Sequence, residues 1–137
     1  GHFLYDSDAY CDDLPVFVTV GGRRHLVLPY AFDTNDMHFH QGRQRFVLAS
    51  HFADYVCDSF DQLWREGARH PKMMSIGLHL RMIGRPGRIA GLARCLEHMR
   101  RRGGVWFARR DEIARHWLDR FPEAAGQMRP ADERAAP

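Results

Sequence analysis

Apolar residues recur along the chain with a helical period in three places. Between positions 44 and 66 they return every three or four residues, which is typical of a helix that packs by one face. This stripe consists of Leu48, Phe52, Val56, Phe60 and Leu63. A second helix is predicted from Pro86 to Gly103-Gly104, because proline suits a first helical turn and glycine a helix end. Its expected inner face is Ile89, Leu92, Leu96 and Met99, and a third helix is predicted over residues 111–121.

Short runs of β-branched and aromatic residues predict strands before and between these helices. Residues 16–20 and 25–29 flank Gly21-Gly22, a pattern that indicates a hairpin. Residues 72–80 and 105–108 have the composition of buried strands, and each precedes a helical pattern. Strands that alternate with helices favour an α/β fold with a parallel sheet and right-handed crossovers.

The segment 29–40 is polar, rich in turn-forming residues and interspersed with aromatic ones, so it fits neither a helix nor a strand. Such a loop can hold polar groups in a partly apolar ligand site. It can equally be a cluster of turns whose side chains satisfy their own backbone. His38 and His40 lack further ligands at a suitable spacing, so we expect no metal site there.

Two aspartates follow the short apolar run 3–5, which is predicted to be a strand. Asp6 and Asp8 are separated by one residue and could bind a cation, act as acid or base, or cap a turn. Aspartate and serine are common in turns because their side chains bond to nearby backbone groups. By themselves, these residues favour the turn.

His79 is the strongest candidate for catalysis, because it stands at the C-terminal end of the predicted strand 72–80. In parallel α/β sheets, loops at these strand ends converge on ligands. Histidine can carry a proton close to neutral pH, since its unperturbed pKa is about 6.5. Arg81 follows closely, and its guanidinium presents a fixed fork of donors for carbonyl or carboxylate oxygens.

Composition excludes several classes of protein. The chain has 137 residues, enough for one domain, and we place that domain at residues 1–121 with a disordered tail at 122–137. A net charge of +3 with interspersed acids argues against nucleic-acid binding, and no apolar run is long enough to span a membrane. Three widely spaced cysteines suggest neither a disulfide framework nor a zinc site, so a cytoplasmic location is expected.

Several motifs occur in a specific order along the chain. They are Pro29-Tyr30, Asp33-Thr34-Asn35-Asp36-Met37 with Phe39, Ser75 with Gly77-Leu78-His79 and Arg81, Gly84-Arg85-Pro86-Gly87-Arg88, and Trp106 through Arg109-Arg110 to Ile113-Ala114-Arg115-His116-Trp117. In this order they resemble the C-terminal half of the polysaccharide deacetylase (NodB-homology) superfamily, and within it the allantoinase branch of purine catabolism. The resemblance extends from about residue 3 to residue 117.

The resemblance implies the C-terminal part of a distorted (β/α)7 barrel of the glycoside hydrolase/deacetylase type. It also implies hydrolysis of a non-peptide C–N bond, here the opening of the hydantoin ring of allantoin to allantoate. His79 matches the histidine that protonates the leaving nitrogen, and Asp6 and Asp8 fall where the family carries a supporting acidic motif. The expected substrate contacts are Tyr30, Asn35, Asp36 and Arg81.

The sequence departs from the family in two motifs. It contains neither the Thr-Phe-Asp-Asp motif that supplies the base nor the His-x-x-x-His motif that supplies metal ligands. We therefore expect no metal or other cofactor, and an incomplete catalytic apparatus.

Three interpretations remain open. One is an incomplete allantoinase-like hydrolase that acts on a small ureide. The second is a metal-dependent carbohydrate N-deacetylase, which the lack of an aromatic platform pattern disfavours. The third is a non-catalytic half-barrel that associates with a partner chain or a second copy through an unpaired barrel edge.

Overall fold

A computed structural model describes residues 3–10, 12–40, 43 and 45–122 of the chain. The strands are β1 (Asp6–Ala9), β2 (Val16–Val20) and β3 (Arg23–Pro29), and a 3-10 turn spans Asp36–Phe39. The helices are α1 (Ala49–Gly67), α2 (Leu80–Ile83), α3 (Pro86–Arg102) and α4 (Arg110–Arg120). The predicted tail lies outside the described residues from position 123 onward.

The predicted hairpin is confirmed. Val20 faces Arg23 across the turn, and β2 runs antiparallel to β3. Gly21 and Gly22 have φ angles of 56° and 74°, the left-handed region that hairpin turns of two residues require and that glycine adopts without steric cost. The sheet has the order β1-β3-β2, and β1 runs parallel to β3.

The position of β1 differs from the prediction. The apolar run 3–5 precedes the strand, and Asp6 and Asp8 lie within it. Side chains of a strand alternate between two faces, and here both aspartates are exposed whereas Ser7 and Ala9 are partly buried. Of the apolar run, Phe3 and Leu4 are 83% and 41% exposed, whereas Tyr5 packs against the core cluster of Leu26, Leu28 and Ala114.

The predicted strands 72–80 and 105–108 are wrong for the described part of the chain. Residues 71–79 and 103–109 form no ladder with a neighbouring strand, and a strand is defined by such a ladder. The backbone of the first segment bonds instead to loops and side chains: Met73 donates to the Asp13 carbonyl, and the Ser75 carbonyl accepts from the Thr34 hydroxyl. Met74, Ile76 and Val105 pack against the core, so the apolar pattern reflected burial without strand pairing.

The main core lies between α1 and α3. The α1 stripe is confirmed at Phe52, Val56 and Phe60, which are buried, whereas Leu48 caps the helix and is exposed. The predicted inner face of α3 is confirmed at Met99, which is buried, and at Leu92, which packs against the core. It is wrong at Ile89 and Leu96, and the other buried residues of the helix are Gly91 and Cys95. A Cβ at Gly91 would lie 2.6 Å from the Ala49 carbonyl oxygen. The small residues therefore face α1 at close range, and the bulkier Ile89 and Leu96 remain half exposed.

A second, smaller core joins the sheet to α4. Leu26 and Leu28 of β3 pack with Ala114, and Ile113 and Trp117 complete the cluster. This contact fixes the C-terminal end of β3, from which the chain enters the segment 30–39. None of the described helices combines the length and the hydrophobicity needed to span a membrane.

Candidate active site

Asp36 and His79 form a hydrogen-bonded pair at the centre of the candidate site. The Asp36 Oδ1 atom lies 2.7 Å from His79 Nδ1. A carboxylate accepts hydrogen bonds, so this contact places the ring proton on Nδ1 and leaves Nε2 as the second functional nitrogen. Asp36 is completely buried, whereas the His79 side chain is 39% exposed. The pair therefore presents one imidazole edge to ligands and keeps its carboxylate away from solvent.

The buried carboxylate is held by the protein itself. Its Oδ2 atom accepts hydrogen bonds from the backbone N–H groups of His79, at 2.7 Å, and Ile83, at 3.1 Å. These two residues start and end the single turn of α2, so the acid also caps that turn. A buried charge is tolerated only when such donors replace water. The geometry thus gives Asp36 a contact with His79, whereas the sequence predicted one with substrate.

The loop around Asp36 is fixed to the segment that carries His79. The Asp36 N–H donates to the Gly77 carbonyl at 2.9 Å, and the Thr34 hydroxyl donates to the Ser75 carbonyl at 2.6 Å. Each of these two bonds joins residues that are 41 positions apart in the sequence, and together they align residues 34–36 with residues 75–79. The segment 29–40 therefore contacts the segment that carries His79 directly.

Tyr30 and Asn35 form a second pair beside the first. The Asn35 amide donates to the Tyr30 hydroxyl at 2.5 Å, and its carbonyl oxygen accepts from the Met37 N–H. Both side chains lie over Gly77, where a Cβ would come within 2.3 Å of the Tyr30 hydroxyl. Gly77 therefore permits the close approach of this polar pair to the backbone two residues before His79.

An exposed aromatic cluster adjoins the polar pair. Tyr10 stacks on Phe32 with a centroid distance of 4.3 Å, and Tyr30 meets both rings edge to face. Tyr10 and Phe32 are 50% and 57% exposed. Tyr10 and Phe32 are separated by 22 positions and meet through the parallel pairing of β1 with β3, so no local sequence pattern indicates their contact.

The predicted acids Asp6 and Asp8 make local contacts. Asp6 accepts a hydrogen bond from the Asp8 N–H, and Asp8 accepts one from the Tyr10 hydroxyl at 3.1 Å. This hydrogen bond to Asp8, followed by desolvation, raises the pKa of the Tyr10 phenol and keeps it protonated. Within the described residues no hydrogen bond joins Asp6 or Asp8 to His79. Arg81 lies on α2, where its side chain is exposed.

The sequence placed Arg110, the first residue of α4, in a motif of the family but assigned it no role. Its guanidinium donates to the hydroxyls of Ser7 and Ser75 and to the carbonyls of Leu28 and Pro29, at 2.8 to 3.1 Å. The signal available in the sequence was its position two residues after the apolar segment 105–108, similar to that of Arg81 directly after 72–80. Among the residues that the structure describes, no three His, Cys, Asp or Glu side chains are arranged to hold a metal ion.

Comparison with known proteins identifies relatives of the chain. A Schizosaccharomyces pombe protein described as "Putative polysaccharide deacetylase" is 39% identical over 131 residues. The chain is homologous to polysaccharide deacetylases. The homology covers 88% of this chain but 41% of the S. pombe protein, so the chain spans about two fifths of that relative. No family model matches the chain.

Solved structures extend the homology to the fold. A crystal structure of a "probable Polysaccharide deacetylase" from Pseudomonas aeruginosa is 52% identical with a TM-score of 0.83, and covers 88% of this chain and 40% of its own. The crystal structure of PuuE allantoinase is also 52% identical, with a TM-score of 0.85 over 89% of this chain and 41% of its own. A Mycobacterium smegmatis structure, 22% identical with a TM-score of 0.76, shares the fold. This deacetylase homologue therefore has the α/β fold of those proteins.

Proposed function

We propose that this chain carries the general-acid part of an allantoinase-like hydrolase that opens the hydantoin ring of allantoin to allantoate. The observation that carries the proposal is the buried Asp36 carboxylate bonded to the partly exposed His79 ring. The 52% identity to PuuE allantoinase supports the choice of substrate. The reaction is hydrolysis of a C–N bond that is not a peptide bond.

His79 would protonate the leaving nitrogen. Amide and ureide nitrogens are poor leaving groups, so the carbon–nitrogen bond breaks more readily when an acid delivers a proton to that nitrogen. With Nδ1 bonded to Asp36, the Nε2 atom is the one that can transfer a proton. Asp36 would hold the ring in one orientation, as a carboxylate does beside imidazole in catalytic triads.

The substrate would lie beside the exposed edge of His79. The exposed guanidinium of Arg81, two residues further on, could donate to ureide carbonyls. We retain Tyr30 and Asn35 as substrate-side residues, because their polar pair covers Gly77 next to the histidine. Asp6 and Asp8 are retained as supporting acids on the exposed face of β1.

Hydrolysis also requires a base that activates water. The Thr-Phe-Asp-Asp motif that supplies it in the family is absent from this sequence. We therefore propose that the activity requires a second segment or chain that carries the base, joined to this one as part of a barrel. The described residues do not fit a metal site, and we derive no step through a metal.

A chimaera provides the direct test. This chain would replace the matching 41% of PuuE allantoinase, so that the remaining part of that protein supplies what is missing. We expect the chimaera to convert allantoin to allantoate, and His79→Asn to lower kcat by about 100-fold or more. The exposed Arg109→Gln substitution serves as the control and should leave kcat unchanged. A folded chimaera without allantoate formation would contradict the proposal.

A second candidate, carbohydrate N-deacetylase, is supported by one structural observation and by relatives. The stacked Tyr10–Phe32 pair exposes ring faces of the kind that pack against the apolar faces of sugar rings. Two of the relatives above also carry the name polysaccharide deacetylase. Release of acetate from N-acetylglucosamine oligomers by the same chimaera, without allantoate formation, would favour this candidate.

The proposed allantoinase-like activity also determines which partners and which cellular location we expect. We propose that the chain works with a small-molecule ureide in the cytoplasm and contacts neither nucleic acid nor membrane. The three widely spaced cysteines and the modest net charge support this proposal.

A further inference from the structure

The Arg110 guanidinium is a junction between four segments that are far apart in sequence. Its Nη2 atom donates to the Ser7 hydroxyl of β1 at 2.8 Å and to the Leu28 and Pro29 carbonyls at the end of β3. Its Nη1 atom donates to the Ser75 hydroxyl at 2.9 Å. The sequence separations of these contacts range from 35 to 103 residues.

The strand end gives a physical reason for this junction. Leu28 and Pro29 are buried, and the carbonyl groups at the end of a strand need donors once the ladder stops. A guanidinium suits this position because its planar fork presents several N–H groups in fixed directions. A lysine ammonium is a point donor and does not reproduce that geometry.

The Nη1 atom of Arg110 is connected to the candidate site through hydrogen bonds of Ser75. Ser75 accepts from Arg110, and its own hydroxyl donates to the Pro29 carbonyl at 3.1 Å. The Ser75 carbonyl accepts from Thr34, and two residues later the Gly77 carbonyl accepts from the Asp36 N–H. The position of residues 75–79 relative to Asp36 is therefore fixed at one end by Arg110 and at the other by the Asp36–His79 bond.

We propose that Arg110, acting through Ser75, is a positioning residue for the Asp36–His79 pair. This inference rests on the proposed function, in which that pair is the general acid. The hydrogen bond from the same guanidinium to Ser7 contacts β1 and not the segment that carries His79. Arg110 and Ser75 thus affect the histidine, whereas Ser7 affects only the sheet.

The readout is the Nδ1–H proton of His79 in the full 137-residue chain, observed by NMR with ¹⁵N-labelled histidine. The 2.7 Å bond to Asp36 protects this proton from exchange, and His79→Gln identifies its resonance. We expect Arg110→Gln and Ser75→Ala each to raise its exchange rate by about tenfold or more. Arg110→Lys should not restore the slow exchange.

Two controls separate positioning from loss of stability. Ser7→Ala removes the other hydroxyl from the same guanidinium, and Arg109→Gln changes the neighbouring exposed arginine; both should leave the His79 proton unchanged. The His98 Nε2 proton, bonded to Asp61 at 2.8 Å elsewhere in the fold, should be unaffected in every variant. If Arg110→Gln proves too unstable, Ser75→Ala alone decides the question.

The outcomes distinguish this inference from the proposed function. If Asp36→Asn accelerates exchange at His79 but Arg110→Gln and Ser75→Ala do not, the role of Arg110 is refuted and the pair stands. If Asp36→Asn itself has no effect, the pair does not form, and the proposed acid fails with it. Equal acceleration by Ser7→Ala and Ser75→Ala would show a general structural role and would overturn the inference.

Discussion

Asp36 is a buried charge, and its replacement has a defined energetic consequence. Three hydrogen bonds, from the His79 ring and from two backbone N–H groups, compensate its removal from water. In Asp36→Asn the amide places donor hydrogens where one oxygen accepted, so at least one of these donors is left without an acceptor.

We predict that Asp36→Asn lowers the free energy of unfolding by about 3 kcal/mol. Urea denaturation followed by circular dichroism measures this loss. Asp33→Asn is the matched control, because Asp33 lies in the same loop but is exposed, and its side chain accepts a hydrogen bond from the Tyr55 hydroxyl at the protein surface. Its expected effect is within about 0.5 kcal/mol, and similar losses for both variants would contradict the assigned role.

A second prediction at this scale concerns Gly77. A Cβ there would collide with the Tyr30 hydroxyl and the Asn35 amide, at 2.3 and 2.4 Å. We expect Gly77→Ala to destabilise the fold by about 2 kcal/mol, since the polar pair must move. Gly87→Ala, at a helical position with open space around it, should be neutral or stabilising by up to about 1 kcal/mol. Thermal denaturation of the two variants side by side tests this contrast.

The sequence predicted some of these residues and missed others for identifiable reasons. His79 was predicted because an apolar segment ends at it, and that pattern is local. The contact between Asp36 and His79 spans 43 positions, and no local pattern tells which of Asp33 and Asp36 turns inward. Arg110 was named within a motif but given no role, because its contacts depend on where four separate segments meet.

Among the elements, helices and the hairpin were predictable from the sequence, whereas the pairing of segments far apart in sequence was not. The helical period and the Gly21-Gly22 turn are encoded locally, and both agree with the structure. Residues 71–79 and 103–109 have strand-like composition but lack a neighbouring ladder, which depends on tertiary arrangement. The inner face of α3 was partly misassigned because close packing against α1 selects Gly91 and Cys95 over the more hydrophobic Ile89 and Leu96.

A charged contact between α1 and α3 predicts a pH effect on stability. Asp61 of α1 accepts from His98 and Arg102 of α3. The hydrogen bond from His98, followed by that from Arg102, lowers the pKa of the Asp61 carboxyl. A carboxyl whose pKa is lowered by folding stabilises the protein above its unfolded pKa, about 3.9, and loses that contribution as the pH falls through the folded value.

We therefore predict that Asp61→Asn is less stable than the unmodified chain at pH 7 by up to about 1 kcal/mol. The difference should persist at pH 5 and vanish when the pH is low enough to protonate Asp61. Urea denaturation at these pH values measures it, with the exposed Asp58→Asn as the control on the same helix. If the difference in free energy of unfolding between the unmodified chain and Asp61→Asn increased toward low pH, the prediction would be contradicted.

At the scale of the whole molecule, several large apolar side chains are exposed to solvent. Leu80 is 93% exposed, and Trp106 and Phe107 are also exposed. The segments 71–79 and 103–109 have strand-like composition but pair with no strand among the described residues. Such segments favour association with another chain. The relatives, of which this chain covers about two fifths, have a longer polypeptide with which to cover such surfaces.

We predict that the isolated chain self-associates, and that Leu80→Lys weakens the association. Sedimentation velocity at increasing protein concentration measures both effects. Val20→Lys is the control, since this residue is exposed beside the hairpin turn and away from the extended segments. A chain that stays monomeric over the whole concentration range would refute the prediction.

The central claim is that His79 acts as the acid that protonates the leaving nitrogen. Its most direct test is the rate of hydrolysis of two substrates by the allantoinase chimaera, with and without His79→Asn. One substrate is allantoin, and the other is a hydantoin with an electron-withdrawing group on the leaving nitrogen, which departs without prior protonation. We predict that His79→Asn slows allantoin hydrolysis by about 100-fold or more but the activated substrate by less than about tenfold. Equal losses on both substrates would contradict the assigned role.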